Sequence, residues 1–328
     1  MMQYRQLGNT DLKLSEITFG AWAIGGWMWG GADWKDAVKA IEEKYTERVT
    51  TIDTAPIYGQ GRSEEIVGEA IKDIPRDKLK ILTKFGLRWD SNQGEKYFES
   101  KDENGHPINI HKYAGKDGII KECEESLRRL GTDYIDLYQI HWPDNTTPIS
   151  ESFEAVEKLI EQGKVRYGAV CNYNVEQCKE ANLVIPVASN QVPYSMVKRD
   201  IEDNVVPYCI ENNIGILAYS PLQRGLLTGK FKPGHSFNGD DHRKDSGFFT
   251  DDFIQVTNAF LELIKPIADE KGASLAQLVL KWTVSQPGIT VALAGARNAE
   301  QAVENAKASN LELSESELAF INEKLMVF

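Results

Sequence analysis

The chain has 328 residues and a formal net charge of −12, with a pI near 5.1, so it lacks the basic surface that nucleic acid or an anionic membrane would require. With 41% hydrophobic residues it can bury a sizeable core, and its length lies where an α/β barrel runs as a single unit. The N-terminus, MMQYRQLGNTDLKLS, has no apolar signal-peptide core, and the uncharged stretch 19–32 is Gly-rich and too short to span a bilayer. A cytoplasmic protein with a small-molecule partner is expected.

Taken in order, residues 3–14 read as a hairpin around Gly8-Asn9-Thr10-Asp11 that closes the floor of a barrel. A first barrel strand follows at 16–19. Strands are then expected near 50–53, 79–84, 134–140, 165–170, 187–191, 215–219 and 289–293. Helices alternate with them near 34–45, 63–72, 117–130, 149–162, 174–183, 200–212, 273–286 and 298–308. Strict alternation of this kind points to a parallel (β/α)8 TIM barrel. Residues 253–271 read as an extra helix and 314–326 as a closing C-terminal helix. The segments 86–116 and 222–251 carry Gly, Asp, Asn and Lys without apolar periodicity and are expected as loops over the barrel mouth. No composition break divides the chain, so one domain over 1–328 is expected, as a monomer or weak homo-oligomer.

The stretch TTIDTAPIYGQGRSEEIVGEAI places chemistry on this frame. Thr50, Thr51 and Ile52 are β-branched and run into Asp53 at a strand tip, the end of a barrel strand where chemistry is kept. Ser63 reads as the N-cap of the helix that follows, leaving Tyr58 on the loop between. The next strand ends in Lys84, and YIDLYQIHWPD ends in His141. Asp53, Tyr58, Lys84 and His141 can therefore converge on one mouth. An ammonium beside a phenol favours the phenolate and lowers its pKa, Asp53 would hold that ammonium, and His141 could orient a carbonyl oxygen toward the Tyr58 hydroxyl. The plain alternative for Tyr58 alone is an aromatic cap on the core. Such a group gives a proton to a carbonyl, or takes one from an alcohol, and needs a hydride donor. No Rossmann fingerprint supplies a place for one, because Glu64 stands where the third glycine after Gly59-Gln60-Gly61 would be. The four cysteines, Cys123, Cys171, Cys178 and Cys209, form no CxxC pair and no zinc spacing with histidine. No metal is expected.

The chain resembles the aldo-keto reductase superfamily, most closely its bacterial general-stress-type NADPH-dependent members. The resemblance rests on GAWAIGG (20–26), IDTAPIYGQGRSEEIVGEAI (52–71), LTKFG (82–86), LRRLGTDYIDLYQIHWPD (127–144), AVCNYN (169–174), LAYSPLQRGLLTGK (217–230) and AGARNAEQAVENAKA (294–308). It implies an NADP(H)-dependent enzyme that reduces aldehydes or ketones, with NAD(H) a usable substitute. By match, Tyr58 is the general acid, with Lys84, Asp53 and His141 as its partners. Asn172 and Gln191 would hold the nicotinamide carboxamide, Tyr219 would stack on its ring, and Gly20 and Trp22 would line that end. Ser220, Leu222, Gln223, Arg224, Gly225 and Lys230 would follow the pyrophosphate, while Gly295, Arg297, Gln301 and Asn305 would grip the adenosine end. Arg297, one residue before a helix, suits a phosphate with a charged fork of donors. Where many members have Gly-Val-Ser-Asn, this chain has Ala169-Val170-Cys171-Asn172, a thiol in place of a hydroxyl that helps hold the carboxamide.

Trp22, Trp29, Trp89 and Trp142, with Trp27 and Met28, are expected to wall the substrate pocket, which suits flat apolar aldehydes or sugar rings. Lys101, Asp102, Glu103, His106 and His111 could contact a hydroxylated or anionic substrate from the first long loop, or could simply be solvated. Two other readings stand beside the reductase: a nucleotide-binding regulatory subunit of the same fold, and a sugar dehydrogenase working oxidatively.

Overall fold

A computed structural model of the protein describes residues 1–102, 104–237 and 239–328; of the site residues expected from sequence, only Glu103 lies outside them. Two short strands, β1 (Tyr4–Gln6) and β2 (Lys13–Ser15), form an antiparallel hairpin. Then β3 (Ile17–Gly20) leads to α1 (Trp34–Thr46), β4 (Thr51–Asp53) to α2 (Arg62–Ile71), and β5 (Lys80–Phe85) opens a long excursion. That excursion contains β6 (Leu87–Arg88), β7 (Glu95–Lys101) and β8 (Pro107–Lys112) before α3 (Lys116–Leu130). The chain continues through β9 (Ile135–Ile140), α4 (Ile149–Glu161), β10 (Val165–Cys171), α5 (Val175–Asn182), β11 (Ser189–Pro193), α6 (Val205–Glu211) and β12 (Gly215–Tyr219). It ends with α7 (Asp251–Glu270), α8 (Leu275–Ser285), β13 (Ile289–Gly295), α9 (Ala299–Lys307) and α10 (Glu315–Lys324).

The strands β3, β4, β5, β9, β10, β11, β12 and β13 pair in that order, all parallel, and β13 returns to β3. This is the expected (β/α)8 barrel, with α7 and α10 as the additions to it. Its staves are rich in β-branched residues, which fit a sheet buried on both faces. Helix starts follow local chemistry: Asn174, Ser274 and Ser314 cap α5, α8 and α10 with reciprocal Gln or Glu partners three residues on.

The largest apolar cluster fills the shell between staves and helices, with Phe153, Trp282, Ile216 and Leu278 fully buried. A second cluster sits inside the barrel, where Leu7, Leu12 and Leu14 of the hairpin meet Leu82, Leu137, Leu217 and Val291. The hairpin is therefore the barrel's floor, and chemistry is left to the opposite end.

Two expectations fail here. Residues 86–116 are not loop throughout: β6, β8 and β7 make a three-stranded antiparallel sheet. The sequence hid it because β7 is charged and largely exposed, and its one apolar pair, Tyr97-Phe98, breaks the alternation at a register shift. Ser63 is not a cap. Gly61, at φ +101°, precedes α2, and the Ser63 hydroxyl instead donates to the Ala21 carbonyl (2.8 Å) and pairs with Thr54 Oγ1 (2.9 Å), tying the Tyr58 loop to the end of β3.

Candidate active site

Two loops meet backbone to backbone above the strand ends. A Cβ on Gly25 would lie 2.7 Å from the Tyr58 carbonyl oxygen, and one on Gly59 2.5 Å from that of Gly25. Only glycine allows this approach, and it fixes where Tyr58 stands. The Tyr58 ring lies 5.6 Å from the His141 ring, edge to face, and 6.0 Å from Trp22.

Behind Tyr58 lies Lys84, fully buried, with its ammonium 5.0 Å from the Tyr58 ring centre. It donates to Asp53 Oδ1 (2.6 Å) and to the Thr54 carbonyl (2.9 Å). Burial alone would push the Lys84 pKa down, but the Asp53 carboxylate and Tyr58 outweigh it and hold the ammonium above the ordinary lysine range. The phenol behaves differently from the sequence expectation. Burial raises Tyr58 to about 12, and the opposing pull of Lys84 does not overcome it. Tyr58 therefore keeps its proton at neutral pH, with Lys84 placed to stabilise the phenolate left when that proton departs. His141 is neutral, because burial and the neighbouring Lys84 charge both push it well below the usual imidazole value.

Asp53, Tyr58 and His141 line one end of a cavity of about 790 Å3; Lys84 acts from behind the wall. The middle is lined by Gly20, Trp22, Asn172, Gln191, Tyr219, Ser220, Leu222, Arg224 and Gly225. Lys230 follows, and Gly295, Arg297, Gln301 and Asn305 close the far end. Gln223 is an exception: its side chain turns inward and accepts from the Ser195 hydroxyl (3.1 Å). Cys171 is also withdrawn. Its buried thiol faces Gln139 Oε1 at 3.9 Å inside the barrel, where burial pushes its pKa up, so it is neither a cavity donor nor a reactive thiolate.

Asn172, at φ +60°, donates through Nδ2 to the His141 carbonyl (3.0 Å) and accepts from the Tyr219 hydroxyl (3.0 Å). Arg297 precedes Asn298, the cap of α9, and its Nη1 donates to the Trp29 carbonyl (3.2 Å). Asn305 donates to the Gly295 carbonyl (3.0 Å).

Trp27, Met28, Ile57, Leu87, Tyr97, Phe98 and Trp142 also line the cavity. Trp27 stacks on Phe98 at 6.1 Å and donates to Ser100 Oγ (3.1 Å), so strand β7 holds this wall in place. Tyr97 and Phe98 were not anticipated from sequence; a β-type reading of EKYFESK would have found them. Trp89 does not line the cavity and packs instead with Ala55, Ile57, Leu87 and Ile110. Lys101, Asp102, His106 and His111 do not line it either. Asp102 and His106 pair with each other at the far turn (3.1 Å), and His111 is buried.

The far loop supplies parts the sequence reading did not name. The Asp240 carboxylate accepts from the backbone N–H groups of Met28 (2.7 Å) and Gly30 (3.0 Å), and His242 contacts the Met28 carbonyl through Nδ1 (2.6 Å). This ties 28–30 to 240–242 across the cavity. Burial drives His242 to about 4, so it is neutral. Its Nε2, with Trp22 Nε1 and Trp29 Nε1, is buried without a partner among the described residues.

A long trench fits an extended dinucleotide. It has unpaired ring nitrogens in its wall, small Gly20 and Gly295 where a backbone must be approached, and Arg224, Lys230 and Arg297 along its length.

Comparison with known proteins agrees with this geometry. The model of the aldo/keto reductase family matches residues 16–326. Aldo-keto reductase YhdN of Bacillus subtilis (strain 168) is 40% identical over 302 residues, 92% of this chain and 86% of that protein. NADH-specific methylglyoxal reductase of Escherichia coli (strain K12) is 33% identical over 322 residues, 97% and 96% of the two chains. Among solved structures, glycerol dehydrogenase AKR11B4 from Gluconobacter oxydans superposes with a TM-score of 0.88 at 36% identity, covering 99% of this chain and 95% of that one. An aldo-keto reductase from Klebsiella pneumoniae in complex with NADPH gives 0.73 at 28% identity, with 98% and 95% covered.

Proposed function

The chain belongs to the aldo/keto reductase family, and from that premise we propose that it reduces uncharged aldehydes or ketones with NADPH, with Tyr58 as the general acid. The observation that carries this is one cavity end shared by the protonated Tyr58 and the neutral His141, with the Lys84–Asp53 pair behind them.

The dinucleotide, when bound, supplies the hydride. Asn172 and Gln191 would hold its carboxamide, Tyr219 would face its ring, Arg224 and Lys230 would follow its pyrophosphate, and Arg297 would meet the adenosine end. The substrate carbonyl oxygen sits between His141 and the Tyr58 hydroxyl. His141 donates a hydrogen bond that polarises the carbonyl, and Tyr58 gives its proton to the oxygen as negative charge develops there. Lys84, held by Asp53, stabilises the resulting phenolate. The aromatic wall excludes water from this end.

With its pKa raised by burial, Tyr58 is protonated at neutral pH, the form that gives a proton to a carbonyl oxygen; oxidation of an alcohol would draw on its phenolate. NADH is a usable second donor, in keeping with the NADH-specific Escherichia coli relative. The test is cofactor absorbance with a panel of neutral aromatic and short aliphatic aldehydes, using NADPH and NADH. Turnover of the neutral aldehydes is expected; no turnover of any carbonyl with either cofactor would overturn the proposal.

A further inference from the structure

Gln139 lies one residue inside the end of β9, buried in the barrel and absent from the cavity wall. Its Nε2 donates to Asp53 Oδ2 (3.1 Å), and its Oε1 accepts from Gln191 Nε2 (3.2 Å). Gln191 Nε2 also donates to Asp53 Oδ2 (2.8 Å). One carboxylate oxygen thus receives two amides, while the other receives Lys84.

This arrangement fixes which way each amide points. A carboxylate accepts and does not donate, so the group each glutamine turns toward Asp53 must be its NH2. With its NH2 on Asp53, Gln139 can offer Gln191 only an acceptor, which again selects the Gln191 NH2. Gln191 is the one of the two that reaches the cavity, and the group left free on it is its carbonyl oxygen.

We propose that Gln139 is a positioning residue that locks the Gln191 amide with its oxygen toward the nicotinamide carboxamide and at the same time anchors the Asp53 carboxylate that holds Lys84. The inference rests on the dinucleotide reading above. It makes one buried side chain the link between the cofactor seat and the proton-donating group. Without Gln139, Gln191 loses its acceptor partner and is freer to turn its amide, and Asp53 keeps one amide instead of two.

The test uses Gln139→Met, which keeps shape and removes the hydrogen bonds to Asp53 and Gln191 along with the weak one from the Cys171 thiol, and Gln139→Glu. For Gln139→Met, NADPH should bind about 3- to 10-fold more weakly, the cost of a misplaced neutral hydrogen bond. Binding of 2′-phospho-ADP-ribose, which lacks the nicotinamide, should be unchanged, and kcat should fall. In Gln139→Glu the new carboxyl faces Asp53, Lys84 and the buried Cys171 thiol. Protonated, it can donate to Asp53 and still accept from Gln191, as Gln139 does; ionised, it repels Asp53. Its kcat should therefore recover as pH falls and decline as pH rises, against a flat wild-type profile. This second arm decides the matter even where the Met variant fails to fold. Equal weakening of both ligands in Gln139→Met, or a Gln139→Glu profile parallel to wild type, would overturn the inference while leaving wild-type reduction intact. A wild type that binds NADPH no better than 2′-phospho-ADP-ribose and reduces nothing would instead remove the reductase reading on which it stands.

Discussion

Replacing Arg297 by Ala tests how the far end of the trench chooses between cofactors. The guanidinium is exposed, with one N–H on the Trp29 carbonyl and the rest of its fork free among the described residues. Gly295 and Ala296 before it are small, so a ribose 2′-phosphate can come close to the backbone. A charge-assisted hydrogen bond contributes about 1.5–3 kcal/mol. Solvent screening at an exposed site argues for the lower part of that range, while the Trp29 contact holds the side chain in place and reduces the ordering cost of binding. About 1.5–2 kcal/mol corresponds to roughly a 10- to 30-fold rise in the NADPH dissociation constant. NADH lacks the phosphate and should change by less than about twofold. Fluorescence titration of wild type and Arg297→Ala with both cofactors measures this directly. Equal losses for the two would refute a phosphate clamp at Arg297, and no loss for either would place the adenosine end elsewhere.

Phe98→Ala should raise KM for an aromatic aldehyde roughly 2- to 12-fold, as expected for losing a stacked ring worth about 0.5–1.5 kcal/mol, while NADPH affinity is unchanged; steady-state kinetics with an aromatic and a three-carbon aldehyde would show whether the loss is confined to the larger substrate. Lys44 is buried without a carboxylate partner among the described residues, its ammonium 3.4 Å from the Ala294 carbonyl, and burial lowers it from 10.5 to about 7. The folded state therefore binds fewer protons than the unfolded chain between pH 7 and 10.5, so the cost of this lysine is largest at and below pH 7 and disappears above the unfolded value. Lys44→Met should accordingly raise Tm at pH 6.5 by much more than at pH 10, with a ceiling on the order of 5 kcal/mol; a gain independent of pH would show that Lys44 is not the titrating group.

The barrel was legible because its staves are buried on both faces and its helices carry apolar stripes, so each element announces itself within a dozen residues. The proximity of Asp53, Lys84 and His141 was legible for a related reason, since each is a titratable residue at or next to the end of an apolar strand, with Tyr58 on the loop after Asp53. What escaped notice depends on contacts between distant segments. Gln139 is polar at an inward position, two residues beyond Leu137 of the barrel's inner cluster, and that alternation was a usable signal. Its two partners come from β4 and β11, which no local pattern connects. Tyr97 and Phe98 sit on a strand whose other residues are charged, so local polarity masked a cavity wall. The inward turn of Gln223 and the packing of Trp89 away from the cavity follow from the geometry of single turns that composition does not encode. The net direction of the Tyr58 shift could not be read from neighbours alone, because the opposing term is burial, a property of the whole fold.

The proton donor is the centre of this account, and Tyr58→Phe isolates it, since the change removes one hydroxyl and keeps the ring against His141 and Trp22. With saturating NADPH and a neutral aromatic aldehyde at pH 7, the initial rate of cofactor oxidation should fall by at least about 10²–10⁴-fold, and the NADPH dissociation constant should stay within about twofold of wild type. A Phe variant that keeps more than about a tenth of the wild-type rate would contradict the assignment of Tyr58 as the acid.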